Sequence, residues 1–202
     1  YIEIMTLDNE HFALDTLKAC SLCSNKFAET STAHAPRPVF QGTSSARILL
    51  AGQAPGRRVH ASGKPFTDAS GDRLRAWMGI EEVVFYDPER IAILPMAFCF
   101  PGYDAKGADL PPLRLCADVW RQKMLAQFPN VSLTIAIGGY AQKWHLQTRQ
   151  TVSEVVRQWR DFLPDVLPLP HPSWRNTSWL KKNPWFEDEL IPVLREKVRD
   201  LL

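Results

Sequence analysis

Ala46-Arg-Ile-Leu-Leu-Ala-Gly52, running straight into Gln53-Ala-Pro-Gly56, is the stretch on which the fold turns. A short apolar run closed by glycine reads as a buried parallel strand, because a strand covered on both faces shows no alternation of apolar and polar residues. Three further runs read the same way: Arg90 to Met96, Val131-Ser-Leu-Thr-Ile-Ala-Ile-Gly138, and Val166 to Leu169. Helical spacing occupies Leu7 to Ala19, Ser70 to Met78, Leu113 to Phe128, Thr151 to Phe162 and Glu187 to Leu202, the last with its start or kink set by Pro192. Ala28 to Gly42 and Pro101 to Pro112 are rich in glycine or proline and read as loops. Strands alternating with helices predict an α/β protein, a three-layer α/β/α sandwich with a central, mainly parallel four-stranded sheet. A chain of 202 residues, 45% of them hydrophobic, can bury one full core, so a single domain over residues 1–202 is expected.

Composition excludes several classes. No apolar run is long enough to cross a membrane, and the first ten residues carry acids rather than the basic start of a signal peptide. A cytoplasmic monomer is expected. The net charge of +2 is nearly neutral, but charge is distributed unevenly. Between Gly56 and Arg75, five basic residues (Arg57, Arg58, Lys64, Arg73, Arg75) face two acids (Asp68, Asp72). Between His171 and Lys182 there are three basic residues and no acid. Either cluster alone reads as a solvated face.

All four cysteines of the chain fall in two pairs, C-x2-C at Cys20 and Cys23 and C-x16-C at Cys99 and Cys116. A C-x2-C pair presents two thiolates from one tight turn, a geometry that zinc and iron–sulfur clusters both accept. Disulfides or unrelated core thiols are the plainer readings. A shared metal site is favoured over both, since nothing suggests a small secreted scaffold. Spacing alone does not choose between zinc and a 4Fe–4S cluster.

In a parallel α/β sheet, chemistry sits beyond the carboxyl ends of the strands. The first strand leads into Gly52-Gln-Ala-Pro-Gly56 and then Gly63-Lys-Pro-Phe66, and the last leads into His171-Pro-Ser-Trp-Arg-Asn176. Glycine and proline fix a backbone that can approach a ligand closely, and Phe66 offers a flat stacking surface. The glycine spacing is neither that of a dinucleotide-binding loop nor that of a P-loop.

Together with the cysteines, these two segments resemble the uracil-DNA glycosylase superfamily, and within it the iron–sulfur, family 4-like branch. Gly52 to Phe66 matches the length of that family's first motif without a gap, His171-Pro172-Ser173 matches its second, and the cysteines follow its order. The resemblance spans Cys20 to Asn176 and points to 4Fe–4S rather than zinc. It implies an enzyme that flips uracil out of single- or double-stranded DNA and hydrolyses its bond to the sugar, leaving an abasic site for base excision repair. Carried over, Phe66 stacks on the base, and the backbone of Gly52, Gln53, Ala54, Pro55 and Gly56 forms a pocket wall. His171 hydrogen-bonds uracil O2, where charge collects as the base departs. Arg57 and Arg58 neutralise DNA phosphates, while Ser173, Trp174, Arg175 and Asn176 enter or flank the minor groove.

The chain departs from that pattern in three places. Gln53 replaces a glutamate, and Arg57, Arg58, Val59 and His60 stand where further acids are usual, so the motif keeps no carboxylate to orient water. Asp68 and His60, or the Gln53 amide, are the candidates for that role. Pro95 replaces the asparagine that reads the uracil edge, leaving Asn176 first and Gln53 and Asp68 next as polar candidates for base selectivity. The loop from Cys99 to Cys116 also lacks the histidine-bearing insert of the branch that bonds covalently to DNA, so no covalent adduct is expected. A monofunctional glycosylase is the favoured reading. The alternative is a weakened uracil- or abasic-DNA-binding protein, and a structural zinc protein is the remoter third.

Overall fold

The structure, a computed structural model, describes residues 13–202. The part of the predicted Leu7–Ala19 helix that precedes residue 13 lies outside the described residues, and residues 13–18 are helical. Four strands, β1 (Ile48–Ala51), β2 (Ile91–Ile93), β3 (Leu133–Ile137) and β4 (Val166–Leu169), form one sheet in the order β2-β1-β3-β4. Every pairing is parallel, with Ile48 beside Ile91 and Leu133, and Ile135 beside Leu167. The expected strands are all present, and the sheet is mainly parallel as expected: its four strands pair in parallel, and Gln41 adds one antiparallel bridge to Ile93 at the β2 edge. Regular pairing stops earlier than the apolar runs, yet the β1–β2 ladder continues: Leu94, Met96 and Ala97 N–H groups donate to the carbonyls of Leu50, Gly52 and Gln53.

The helices are α1 (Ser24–Ala28), α2 (Arg57–Ser62), α3 (Ala69–Met78), α4 (Glu82–Phe85), α5 (Arg114–Leu125), α6 (Gly138–His145), α7 (Val152–Arg157), α8 (Thr177–Lys182) and α9 (Ile191–Leu201). Strand periodicity divides their contacts between two faces. Ile48, Leu50, Ile91, Ile93, Ile135 and Leu167 pack with Leu74 and Trp77 of α3 and Leu194 of α9. Leu49, Ala92 and Leu94 pack with Leu17 and with Trp120 and Met124 of α5. These are the three expected layers.

Local chemistry explains the helix ends. The Asp68 carboxylate caps α3 by accepting from the Ser70 and Gly71 N–H groups, and Thr151 with Glu154 forms a capping box on α7. The predicted C-terminal helix opens as a π-helical turn over Phe186–Leu190. Pro192 lies just after that turn in α9, where its missing N–H removes one donor from the helical ladder at the junction. Helices α1, α2, α4, α6 and α8 had no separate sequence signal, being short and without a full apolar stripe.

Candidate active site

Phe66 is held in place by its surroundings rather than by its own backbone preference. Its φ of 53° lies in the left-handed region that a side chain with a Cβ rarely adopts. Tyr86 Oη donates to the carbonyls of Pro65 and Phe66, at 2.9 and 3.0 Å. The Phe85 ring stands edge-on to the Phe66 ring, 6.0 Å between centroids at 88°. Helix α3 closes on it from the other side. A Cβ on Gly71 would lie 1.8 Å from the Phe66 carbonyl oxygen, so only glycine lets this helix approach. A Cβ on Gly52 would lie 3.6 Å from the tip of the Phe66 ring, which places the ring against the loop after β1.

His171 is fixed with comparable detail. Its Nδ1 accepts from the Ser173 N–H at 3.2 Å, and its carbonyl accepts from Asn176 Nδ2 at 2.7 Å. Ser173 Oγ accepts from the Arg175 N–H, and the Ser173 carbonyl accepts from Asn176 N–H and from Arg73 Nη1 at 3.0 Å. Arg73 belongs to α3, so the helix that clamps Phe66 also ties down the His171 loop, 100 residues away in sequence. Gly138, with φ of 77°, lets the chain turn from β3 into α6 beside His171; a Cβ there would lie 3.8 Å from His171 Cβ. Burial holds the His171 imidazole below its usual pKa, opposed by Asp68 and Asp109, while Arg175 acts in the same direction as burial. A neutral ring whose Nδ1 accepts a hydrogen bond carries its proton on Nε2. His171 therefore presents a neutral N–H donor.

A carboxylate from another loop lies near His171. Asp109, from the loop between Cys99 and Cys116, shares an electrostatic neighbourhood with His171, Asp68 and Arg175. Its loop is tied by the Leu110 N–H to the Gly102 carbonyl and by a bridge between Tyr103 and Asp109. Asp109 as a whole residue is exposed, yet burial around its carboxyl raises the pKa. Arg175 and His171 oppose that rise, and Asp68 adds to it. Sequence reasoning missed Asp109 because nothing in a loop read as glycine- and proline-rich shows which side chain folds back to the strand ends. Asp68 lies in the same neighbourhood, with one oxygen committed to capping α3.

The remaining motif residues divide. Gly52 and Gln53 extend the β1–β2 ladder through their carbonyls, and Pro55 is buried. Ala54 and Gly56 are half-buried, and Arg57 and Arg58 are exposed. Trp174 is 75% exposed beside Arg175 at the tip of the His171 loop. Asn176, proposed from sequence to read the base edge, uses its amide nitrogen to fasten the His171 carbonyl. His60 does not join Phe66 and His171. Its ring packs edge-on to His34 at 5.0 Å and near Phe100 at 5.9 Å.

Under Pro95 lies a buried cation that the sequence did not announce. Arg121 of α5 is 0% exposed and donates to the carbonyls of Leu94, at 2.6 Å, and Pro95, at 3.3 Å. It also bonds His145 Nε2 and lies 5.4 Å from the Trp144 ring centre, so its partners are carbonyls, an imidazole and an indole rather than a carboxylate. Burial lowers the Arg121 pKa to about 10, leaving it charged at neutral pH. Burial and Arg121 together push His145 down to about 3, so its ring accepts from the guanidinium.

Cys20, Cys23, Cys99 and Cys116 border one small cavity with Phe27, Pro36 and Pro38, and none is disulfide-bonded. The four thus come together from the N-terminal segment, the end of β2 and helix α5. The Phe98 N–H donates to Cys116 Sγ at 3.4 Å, and the Arg37 backbone N–H donates to Cys99. Burial pushes the Cys99 thiol up to about 12 and the Cys116 thiol up to about 11. Among the described residues, no three Cys, His, Asp or Glu side chains converge as ligands of a single ion.

A three-layer parallel α/β protein with a flat aromatic ring and a neutral N–H donor beyond the strand ends defines a class of site suited to a planar, hydrogen-bonding ligand. The family model described as Uracil DNA glycosylase superfamily matches residues 39–195. The chain belongs to the uracil-DNA glycosylase superfamily, whose members act on DNA. Among solved structures, it is similar to a solution NMR structure from Methanosarcina acetivorans described as "a putative Uracil DNA glycosylase". The two are 15% identical, the match covers 79% of this chain and 98% of that one, and the TM-score is 0.45. No described helix is long and apolar enough to cross a membrane.

Proposed function

We propose that the chain is a monofunctional uracil-DNA glycosylase that carries a 4Fe–4S cluster and hydrolyses the bond between a flipped uracil and its deoxyribose. The observation that carries this reading is the pairing of Phe66, packed against Gly52, with His171, fixed as a neutral Nε2–H donor, in a member of this superfamily. In the reaction, the C1′–N1 bond breaks heterolytically and its electron pair stays with the base. Negative charge grows on uracil O2, where the His171 N–H donates. A neutral donor suits this step because its hydrogen bond strengthens as charge develops in the transition state.

The sugar is left as an oxocarbenium cation, which DNA phosphates stabilise and water captures at C1′. Asp109 orients that water and takes its proton. Burial raises its carboxyl pKa, which makes it the better base, and Asp68 already has one oxygen committed to the α3 cap. Asn176 and Arg73 act by holding the His171 loop. Arg57, Arg58 and Arg175 meet phosphates, and exposed Trp174 is an apolar wedge for the groove.

The cysteine set fits an iron–sulfur cluster. Four thiols border one cavity, and two backbone N–H groups donate to their sulfurs, hydrogen bonds of the kind that tune such ligands. The order and spacing of the cysteines, which resemble those of the iron–sulfur branch, favour that cluster over zinc. Bound through Cys20, Cys23, Cys99 and Cys116, the cluster would supply a structural tie between the N-terminal segment, the end of β2 and α5.

The test is an oligonucleotide bearing one deoxyuridine, incubated with the purified holoprotein and then treated with alkali. Scission at the uracil position is expected. Tight binding to the same strand without scission would replace the enzyme by the alternative damage-binding protein.

A further inference from the structure

A second cleft, about 450 Å³ in volume, lies beside α2 and is bordered by Thr32, His34, Arg57, His60, Phe100 and Tyr103. Its walls are flat rings. His34 stacks on Phe27 at 4.9 Å and 16°, lies 5.0 Å from both Phe100 and His60, and Tyr103 stands edge-on to Phe100 at 5.2 Å. The His34 ring is locked: Nε2 bonds the Phe100 carbonyl at 2.9 Å and Nδ1 bonds Thr32 Oγ1 at 2.8 Å. A carbonyl only accepts, so Nε2 carries a proton, and with Nδ1 on the Thr32 hydroxyl both ring nitrogens are engaged. His60 is held toward its neutral form, by burial first and then by His34 and Arg37. Its Nδ1 is buried without a hydrogen-bond partner.

The lining therefore combines aromatic rings and hydroxyls with the guanidinium of the exposed Arg57, and contains no carboxylate. That chemistry matches a planar ring carrying one negative charge, as a nucleotide does, since every base has a face to stack and every link a phosphate to pair. Position narrows the source. Arg57 follows directly on the Gly52–Gly56 loop, and Tyr103 is bridged to Asp109, the electrostatic neighbour of His171, so the cleft adjoins the segments that carry the candidate site.

We propose that this cleft seats the nucleotide next to the flipped one on the same strand, its base among the rings and its phosphate on Arg57. This rests on the glycosylase reading for the identity of the strand, but not on catalysis. It gives the protein a preference for an extended, single-stranded flank on one side of the uracil.

The test measures binding of labelled single strands carrying the uncleavable 2′-fluoro analogue of deoxyuridine, either ending at that residue or extended by one nucleotide on the 5′ or the 3′ side. Wild type should gain about tenfold in affinity from the extension on one side, within the range for one base–aromatic stack. Tyr103→Leu should lose that gain with no change in salt dependence, whereas Arg57→Gln should lose it and lower the salt slope by about one. The exposed Arg57 variant serves if the Tyr103 variant fails to fold. Equal gains in wild type and both variants, or no gain on either side, would overturn the proposal. So would perturbation of His60 and Tyr103 by free thymidine monophosphate without any gain from extension, which would make the cleft a site for free nucleotide. Uracil release from a cleavable strand is read separately, so an inactive protein would count against the glycosylase reading while the binding result still judged the cleft.

Discussion

At the strand ends, Phe66 and His171 are each held by hydrogen bonds from neighbouring side chains and backbone, and one helix, α3, touches Phe66 and the loop that carries His171. At the cysteine cavity, four thiols border one small apolar space with two backbone N–H donors, and burial first, then the neighbouring thiols, drives Cys23, Cys99 and Cys116 toward the protonated form. The first region is organised by the protein itself. The second is a donor set whose charged form needs a positive partner, because buried thiolates are costly without one. The proposed chemistry thus falls to the part of the fold that fixes its own groups, and the proposed cluster to a part whose charged form needs a partner.

The largest effect should follow from breaking the second region. Cys99→Ser or Cys116→Ser should lose iron and sulfide together and lower the thermal midpoint steeply, since metal binding contributes directly to folding. Iron and sulfide analysis of anaerobically purified protein, with a melting curve, checks this. Zinc at one equivalent in place of iron would remove the cluster from the account.

Within the first region, Asp109→Asn should slow single-turnover excision by about 10²-fold, the lower end for general-base assistance, with DNA affinity nearly unchanged. An equal effect of Asp68→Asn accompanied by lost stability would shift the role toward the α3 cap. Phe66→Ala should weaken binding to uracil-containing strands by about 1–3 kcal/mol, the worth of one stacked base, while strands lacking uracil bind as before.

The smallest expected effect is on stability against pH. His171 and His145 have folded-state pKa values below the ordinary imidazole value. The unfolded chain therefore binds protons first as pH falls below about 6.5, and stability present above that pH is lost on acidification toward the folded values. A urea midpoint that declines from neutral pH toward pH 5, with a shallower decline in His145→Gln, would bear this out.

The sequence carried the sheet well because four apolar runs ending in glycine or proline can be read without knowing their partners. It carried the cysteines equally well, since order and spacing alone brought Cys20, Cys23, Cys99 and Cys116 to one cavity. It failed where position depends on loops folding back. Asp109 lies far in sequence from His171, Arg121 reads as one more surface arginine of an amphipathic helix, and His60 belongs by sequence to the motif but by contact to another cleft. Asn176 shows a related limit: its residue type suits base reading, yet its bond to the His171 carbonyl appears only once the loop is folded.

The most direct test is single-turnover release of free uracil by wild type and His171→Ala, compared at equal occupancy on the same strand. The account predicts release by wild type and a rate about 10²–10³-fold lower in the variant, the range for removing one donor to a developing anion, with strand affinity within a few-fold. Equal rates in the two proteins, or no uracil released by wild type on a fully bound strand, would contradict it.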